Sequence, residues 1–225
     1  MEDTIIQLKS ISKRYTIDTQ IINALAEIDF SVKKSDFTAI TGPSGSGKTT
    51  LLNILSLIDI PSQGQIIFDG IETGKFNDNE LSKIRSSKIG IVFQQYSLIP
   101  VLNVLENVIF PLQIKRISKH NRKEMAVSLL SKFGLENYLK AKPYQLSSGQ
   151  RQRVAIARAL VTEPLIIIAD EPTAALDSKS GEETINLMKE INHLLNTTFV
   201  FSTHDMRIMK YAKDIIELVD GKITK

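Results

Sequence analysis

Gly42-Pro43-Ser44-Gly45-Ser46-Gly47-Lys48-Thr49, followed by Thr50, fits the spacing G-x-x-x-x-G-K-[ST]. These residue types suit the holding of a phosphate chain. Glycines let the backbone curl so that successive N–H groups point inward at phosphate oxygens. A helix opening there adds its positive N-terminal end. Lys48 would reach the β- and γ-phosphates, and the Thr49 hydroxyl would ligate Mg²⁺. The plainer alternative is a glycine turn before a helix. The flanks favour phosphate binding. Residues 37–41 (FTAIT) are a short apolar strand run, and residues 48–58 (KTTLLNILSLI) place apolar side chains at 51, 52, 54, 55 and 58, which is helical spacing.

A second group lies downstream. Residues 165–171 (LIIIADE) are an apolar strand ending in two carboxylates. A buried strand delivers Asp170 to the carboxyl edge of a parallel sheet, where ligands sit in open α/β folds. There Asp170 is placed to hold Mg²⁺ through water. Glu171, the next residue, points the other way and is placed to polarise an attacking water. Taken alone, the pair also reads as a polar stop to a core strand. The upstream phosphate loop favours catalysis.

The elements that must position these groups alternate. Strands are expected at 4–8, 28–32, 37–41, 64–68, 89–93, 165–169 and 198–202, with a closing hairpin over 215–223 around Asp220-Gly221. Helices are expected at 48–58, from a capping box at Asn77 and Glu80 to about Lys88, at 103–115, 119–133 and 149–162, and from Ser180 with Glu183 to about Leu195. Alternating strands and helices predict a parallel sheet covered on both faces. The stretch from about 97 to 163 is mostly helical and reads as an insertion in one α/β body.

Composition narrows the classes. The 225 residues are 42% apolar and 24% charged, close to an ordinary globular domain, which argues against disordered and collagen-like classes. No Cys is present, so disulfides, Cys-ligated zinc and a thiol nucleophile are excluded. The longest apolar run is five residues, Leu165 to Ala169, where a spanning helix needs about twenty. MEDTIIQLKS shows no secretory signal pattern, so a cytoplasmic chain is expected. A net charge of +3, evenly spread, gives no footprint for nucleic acid.

Residues 146–150 (LSSGQ), followed by 151–160 (RQRVAIARAL), resemble the signature and helix of the ATP-binding-cassette (ABC) ATPases, and the likeness extends from Ile6 to Lys222. The resemblance implies an α/β P-loop NTPase fold with an N-terminal antiparallel β subdomain and an inserted helical subdomain. It implies ATP and Mg²⁺ as cofactors. It places Tyr15 under adenine, and Gln94 as the sensor of Mg²⁺ and the attacking water. Asp177, in Ala174-Ala175-Leu176-Asp177, is implied to reach across a dimer, and His204 to contact the γ-phosphate. Ser147 and Gly149, beside Gln150, are implied to contact the γ-phosphate from a second copy of the chain, in a head-to-tail pair holding two ATPs. Ser148 departs from the family's usual glycine, and would be strained if its backbone needed a positive φ. His120 and His193 lie in polar helical contexts and read as solvated bystanders.

Within the family, residues 93–100 (FQQYSLIP), 105–108 (LENV), 110–112 (FPL) and 199–205 (FVFSTHD) resemble a branch of lipoprotein-releasing ATPases and macrolide-type exporters. That branch implies a translocase homodimer beneath a separate integral membrane permease, on the cytoplasmic side of the inner membrane. Tyr96, Leu98 and Ile99 are placed either to line the groove for the membrane subunit, between the Gln94 loop and the helical insertion, or to pack in the core of that insertion. The alternative within the family is a soluble or signalling ATPase, of the DNA-repair, translation, iron–sulfur-assembly or cell-division type, that moves no cargo.

Overall fold

A computed structural model describes residues 3–224. A long antiparallel hairpin opens it, β1 (Thr4–Ile17) and β2 (Gln20–Lys33), turning at Asp18, which takes a left-handed φ of 53°. Strand β4 (Gln63–Phe68) pairs antiparallel with β1, and β5 (Ile71–Glu72) closes this four-stranded sheet in the order β2-β1-β4-β5. Both hairpin strands run well beyond the expected 4–8 and 28–32. Their outer halves carry mixed polar residues with register shifts, and pairing rather than alternation holds them in the sheet.

The second sheet has six strands in the order β10-β9-β3-β8-β7-β6. Its body, β3 (Phe37–Thr41), β6 (Ile89–Val92), β7 (Ile166–Ala169), β8 (Thr198–Ser202) and β9 (Asp214–Val219), is parallel, and β10 (Lys222–Ile223) returns antiparallel on β9. Every residue of β3, β7 and β8 is buried, as a parallel strand covered on both faces requires.

That sheet is a wall between two cores. Ile40, Ile166, Ile168 and Val200 face the hairpin sheet and α1 (Lys48–Leu55), against Ile6, Leu8, Leu51 and Ile54. Ala39, Ile167, Ala169, Phe199 and Phe201 face the other way, against Val154, Ile156, Val108 and Met188. The latter side chains come from α3 (Val104–Ile114), α5 (Ser148–Leu160) and α6 (Ser178–Leu195). Helix α2 (Asp78–Lys88) starts at the Asn77/Glu80 capping box, as the sequence indicates, and a second capping box at Asn103/Glu106 starts α3. Helix α4 (Lys119–Lys132) packs on α3 and α5, and α7 (Met206–Met209) is a single turn.

One cap differs from the sequence expectation. Helix α6 begins three residues before the site expected at Ser180 and Glu183. Asp177 is its N-cap, accepting from the N–H groups of Lys179 and Ser180. An Asp outranks a mid-turn Ser as a cap because its carboxylate meets two orphan amides and the positive helix end together.

Candidate functional site

The carboxyl edge of β3 runs directly into the glycine loop, and α1 starts at Lys48. Gly42 takes φ 141°, and a Cβ there would stand 2.0 Å from the carbonyl oxygen of Leu218. Gly47 takes φ 102°, with the Ala24 carbonyl oxygen 2.5 Å from a would-be Cβ. Glycine is the residue that fits at both positions. Lys48 is buried, and its Nζ donates to the carbonyls of Gly42 at 2.9 Å and Pro43 at 2.8 Å, so the cation is folded over its own loop.

Gly42, Ser44, Gly45, Gly47, Lys48, Thr49 and Thr50 line one wall of a cleft of about 660 Å³, and Tyr15, Glu171 and His204 line the rest with Ile22, Asn23 and Ala24. Pro43 and Ser46 belong to the same loop; the buried Ser46 hydroxyl has no hydrogen-bond partner among the described residues.

The two carboxylates meet this loop from β7. Asp170 Oδ2 accepts from the Thr49 hydroxyl at 3.0 Å, and Oδ1 from the Ser202 hydroxyl at 2.6 Å. The Ser202 oxygen also accepts from the backbone N–H of Glu171 at 2.8 Å, so one buried hydroxyl at the end of β8 fixes both acidic residues. Glu171 lies beyond the strand with a left-handed φ of 44°. Its carboxylate, 21% exposed, accepts from Gln94 Nε2 at 3.4 Å and lies 3.2 Å from Nδ1 of His204. A carboxylate only accepts, so Nδ1 carries the hydrogen of that bond. The outward turn of Glu171 therefore comes from this backbone kink, since strand alternation has already ended.

Tyr15 is half-buried on β1, opposite Ile22 on β2, and its hydroxyl donates to Asp59 at 2.7 Å. Burial and the bond to Asp59 push the phenol's pKa up, while the Thr50 hydroxyl pulls the other way. Burial works against the Asp59 carboxylate, but the bonds from Lys13 and Tyr15 outweigh it and hold its pKa below the ordinary value.

Ser147, Gly149, Gln150 and Asp177 do not line this cleft. Ser147 caps α5 in a capping box with Gln150, whose side chain is occupied by the Ser147 N–H at 2.9 Å. Ser148 is the first helical residue of α5 and does not take a positive φ, so the strain that glycine would relieve is absent. Gly149 lies close to Ser180, three residues past Asp177, so the starts of α5 and α6 share one surface.

Of Tyr96, Leu98 and Ile99, Ile99 alone lines a surface cavity beside the Gln94 loop. Phe93, Ile99, Phe110, Pro111 and Ile114 line a surface cavity of about 400 Å³. Tyr96 is instead turned inward, with Arg151 over its ring and its hydroxyl toward the Ala175 carbonyl, and Leu98 packs on the core. Arg158 donates to the carbonyls of Tyr96 and Ser97, both left-handed, and these bonds hold the loop in that shape.

Sequence reading missed Ser202 and the pair Asp59 and Lys13. The signal for Ser202 was its place at the end of β8, one strand over from Asp170. Asp59 carried no signal, because the hairpin half bearing Tyr15 was not recognised as strand.

A glycine loop between a parallel strand and a helix, with two carboxylates at the end of a parallel strand two places along the same sheet, defines a nucleotide-binding α/β protein. More narrowly, the chain belongs to the ABC transporter family, whose model matches residues 25–174. It is 46% identical over 224 residues to the ABC transporter ATP-binding protein MJ0796 of Methanocaldococcus jannaschii, covering 98% of this chain and 95% of that one. A solved dimeric, post-hydrolysis structure of MJ0796 bound to ADP and Pi superposes with a TM-score of 0.91 at 45% identity, covering 98% and 97% of the two chains. The chain is 41% identical to the lipoprotein-releasing system ATP-binding protein LolD of Buchnera aphidicola, over 97% of this chain and 96% of that one. It is 42% identical to the macrolide export ATP-binding/permease protein MacB of Escherichia coli, over 97% of this chain, and it spans 34% of that longer protein. No helix among the described residues is long and apolar enough to cross a membrane.

Proposed function

We propose that this chain is the ATP-hydrolysing subunit of a transporter that exports or extracts its substrate through a separate membrane permease, and that it works as a head-to-tail homodimer. The observation that carries the reading is the meeting, in one cleft, of the phosphate loop, Glu171 and His204, with Asp170 bonded to Thr49 and Gln94 bonded to Glu171 at its edge.

Thr49 and Asp170 offer hard oxygen atoms 3.0 Å apart, the donor type Mg²⁺ takes when phosphates and water complete its shell. Mg²⁺, when bound, neutralises charge on the triphosphate. Lys48 exchanges its bonds to Gly42 and Pro43 for the β- and γ-phosphate oxygens. Glu171 holds the attacking water and accepts its proton. Gln94 and His204 fix the Glu171 carboxylate and face the γ-phosphate. Ser147 and Gly149 serve the other copy's nucleotide, with Gln150 holding Ser147 in place, and Asp177 lies at the same face. Tyr15 is the platform for adenine.

The helical stretch from about 97 to 163 is a subdomain of one ATPase domain spanning 1–225, and the groove of Phe93, Ile99 and Phe110 beside it is where the permease docks. That docking places the chain peripherally on the cytoplasmic side of the inner membrane. The relatives LolD and MacB support the exporting or extracting kind over the soluble alternatives.

Two measurements test this. Glu171→Gln should keep Mg-ATP binding and lose at least a hundredfold in phosphate release, the scale of a missing general base; turnover at the wild-type rate removes Glu171 from that role. Phe110→Asp should leave ATP binding intact and abolish co-purification with solubilised membranes. Wild-type chain found only in soluble fractions would count against the transporter.

A further inference from the structure

The hydroxyl of Tyr15 is already engaged. It donates to Asp59 Oδ2, while Asp59 Oδ1 accepts from Lys13 Nζ at 2.6 Å and from the Ile60 N–H at 2.8 Å. The Lys13 ammonium also donates to the Ile60 carbonyl at 2.7 Å and stands 4.9 Å from the centre of the Tyr15 ring. The pair is shielded, with the Lys13 side chain 12% and the Asp59 side chain 26% exposed. Shielding of this degree makes the ion pair less sensitive to salt than a surface pair.

Position gives the cluster its meaning. Lys13 and Tyr15 lie on β1 of the hairpin sheet. Asp59 lies in the segment that leaves the C-terminal end of α1, the helix that begins at Lys48. We propose that Asp59 and Lys13 are positioning residues for the nucleobase: they tie the Tyr15 ring to the far end of the phosphate-loop helix and set the spacing between base platform and phosphate cradle. The proposal rests on the reading of Tyr15 as that platform. Lys13 covers one face of the ring by a cation–π contact, leaving the other to the base. Tyr15 and Ile22, paired across the hairpin, then offer a stacking surface with the tyrosine hydroxyl turned away into the scaffold. A ring held at its hydroxyl and beneath its face has little motion left to lose when a base stacks on it, and preorganisation of this kind raises affinity.

The experiment compares Mg-ADP with Mg-pyrophosphate, which lacks base and ribose, by calorimetry on the full chain. Asp59→Ala and Tyr15→Phe should each weaken ADP binding about three- to tenfold, the range of one net hydrogen bond. The double variant should be no worse than either alone, and Asp59→Asn, which keeps an acceptor for the hydroxyl, should recover part of the loss. Pyrophosphate affinity should not move in any of them. Equal loss for ADP and pyrophosphate in Asp59→Ala overturns the proposal, because Asp59 would then act on the phosphate loop. ADP affinity unchanged in Asp59→Ala but reduced in Tyr15→Ala overturns it and spares the platform reading. Unchanged ADP affinity in Tyr15→Ala removes the platform itself. If Asp59→Ala does not fold, Tyr15→Phe and Asp59→Asn carry the same test, since Tyr15→Phe leaves the Lys13 pair intact.

Discussion

Ser202 is a buried hydroxyl with two assignments, accepting from the Glu171 amide and donating to Asp170. It does not line the cleft. Its removal frees both acidic residues to turn, and displacements of about an ångström at a reacting centre cost about a hundredfold. Ser202→Ala is therefore expected to lower steady-state ATP turnover roughly ten- to a hundredfold while nucleotide affinity changes little. Equal losses in turnover and affinity would show that the hydroxyl supports the whole edge of the sheet and not the two carboxylates in particular. A site of this kind is only partly visible in sequence. Lys48, Thr49, Asp170 and Glu171 announce themselves because their chemistry is concentrated in short, ordered motifs. Ser202 and Asp59 do not, because their partners are 32 and 44 residues away and meet them only after the sheets form.

At the scale of the element, Asn107 controls how the chain enters α3. It is fully buried, donates from Nδ2 to the carbonyls of Ile99, Leu102 and Asn103, and accepts from the Ile99 N–H at 2.8 Å. One side chain thus satisfies a loop that otherwise has unpaired backbone groups. Asn107→Ala is expected to cost about 2–4 kcal/mol, since several buried groups lose their partners together, and to lower the melting temperature by roughly 5–15 °C for a chain of this size. Ser148→Gly tests the opposite case. Ser148 sits at the first turn of α5 without strain, so turnover should stay within about twofold of wild type. The elements that sequence reading placed well, α2, β3 and the β9–β10 hairpin, carry their own local signals: a capping box, a closed apolar run, an Asp-Gly turn. The outer halves of β1 and β2 were missed because pairing decides them. Polar stretches with bulges near Ser10 and Glu27, both at left-handed φ, read as loop until the partner strand is known. The start of α6 was misplaced because Ser180 and Glu183 imitate a capping box one turn inside a helix that Asp177 already caps.

For the molecule as a whole, the question is how two copies would meet. Ser147 and Gly149 do not line the cleft, so in the proposed homodimer they would serve the nucleotide of the other copy. Glu171→Gln with ATP and Mg²⁺ should elute from a sizing column at twice the monomer mass, and at the monomer mass when ATP is omitted. A monomer under both conditions would argue against the sandwich. The wall between the two cores has its own consequence. Ile167 faces the helical side while Ile166 and Ile168 face the hairpin side, all in the strand that ends at the two acidic residues. Trimming a methyl on either side loosens the same four residues. Amide exchange along 166–169 should accelerate for Ile167→Val and for Ile168→Val alike, so the strand that ends at the carboxylates is a gauge of packing on both of its faces.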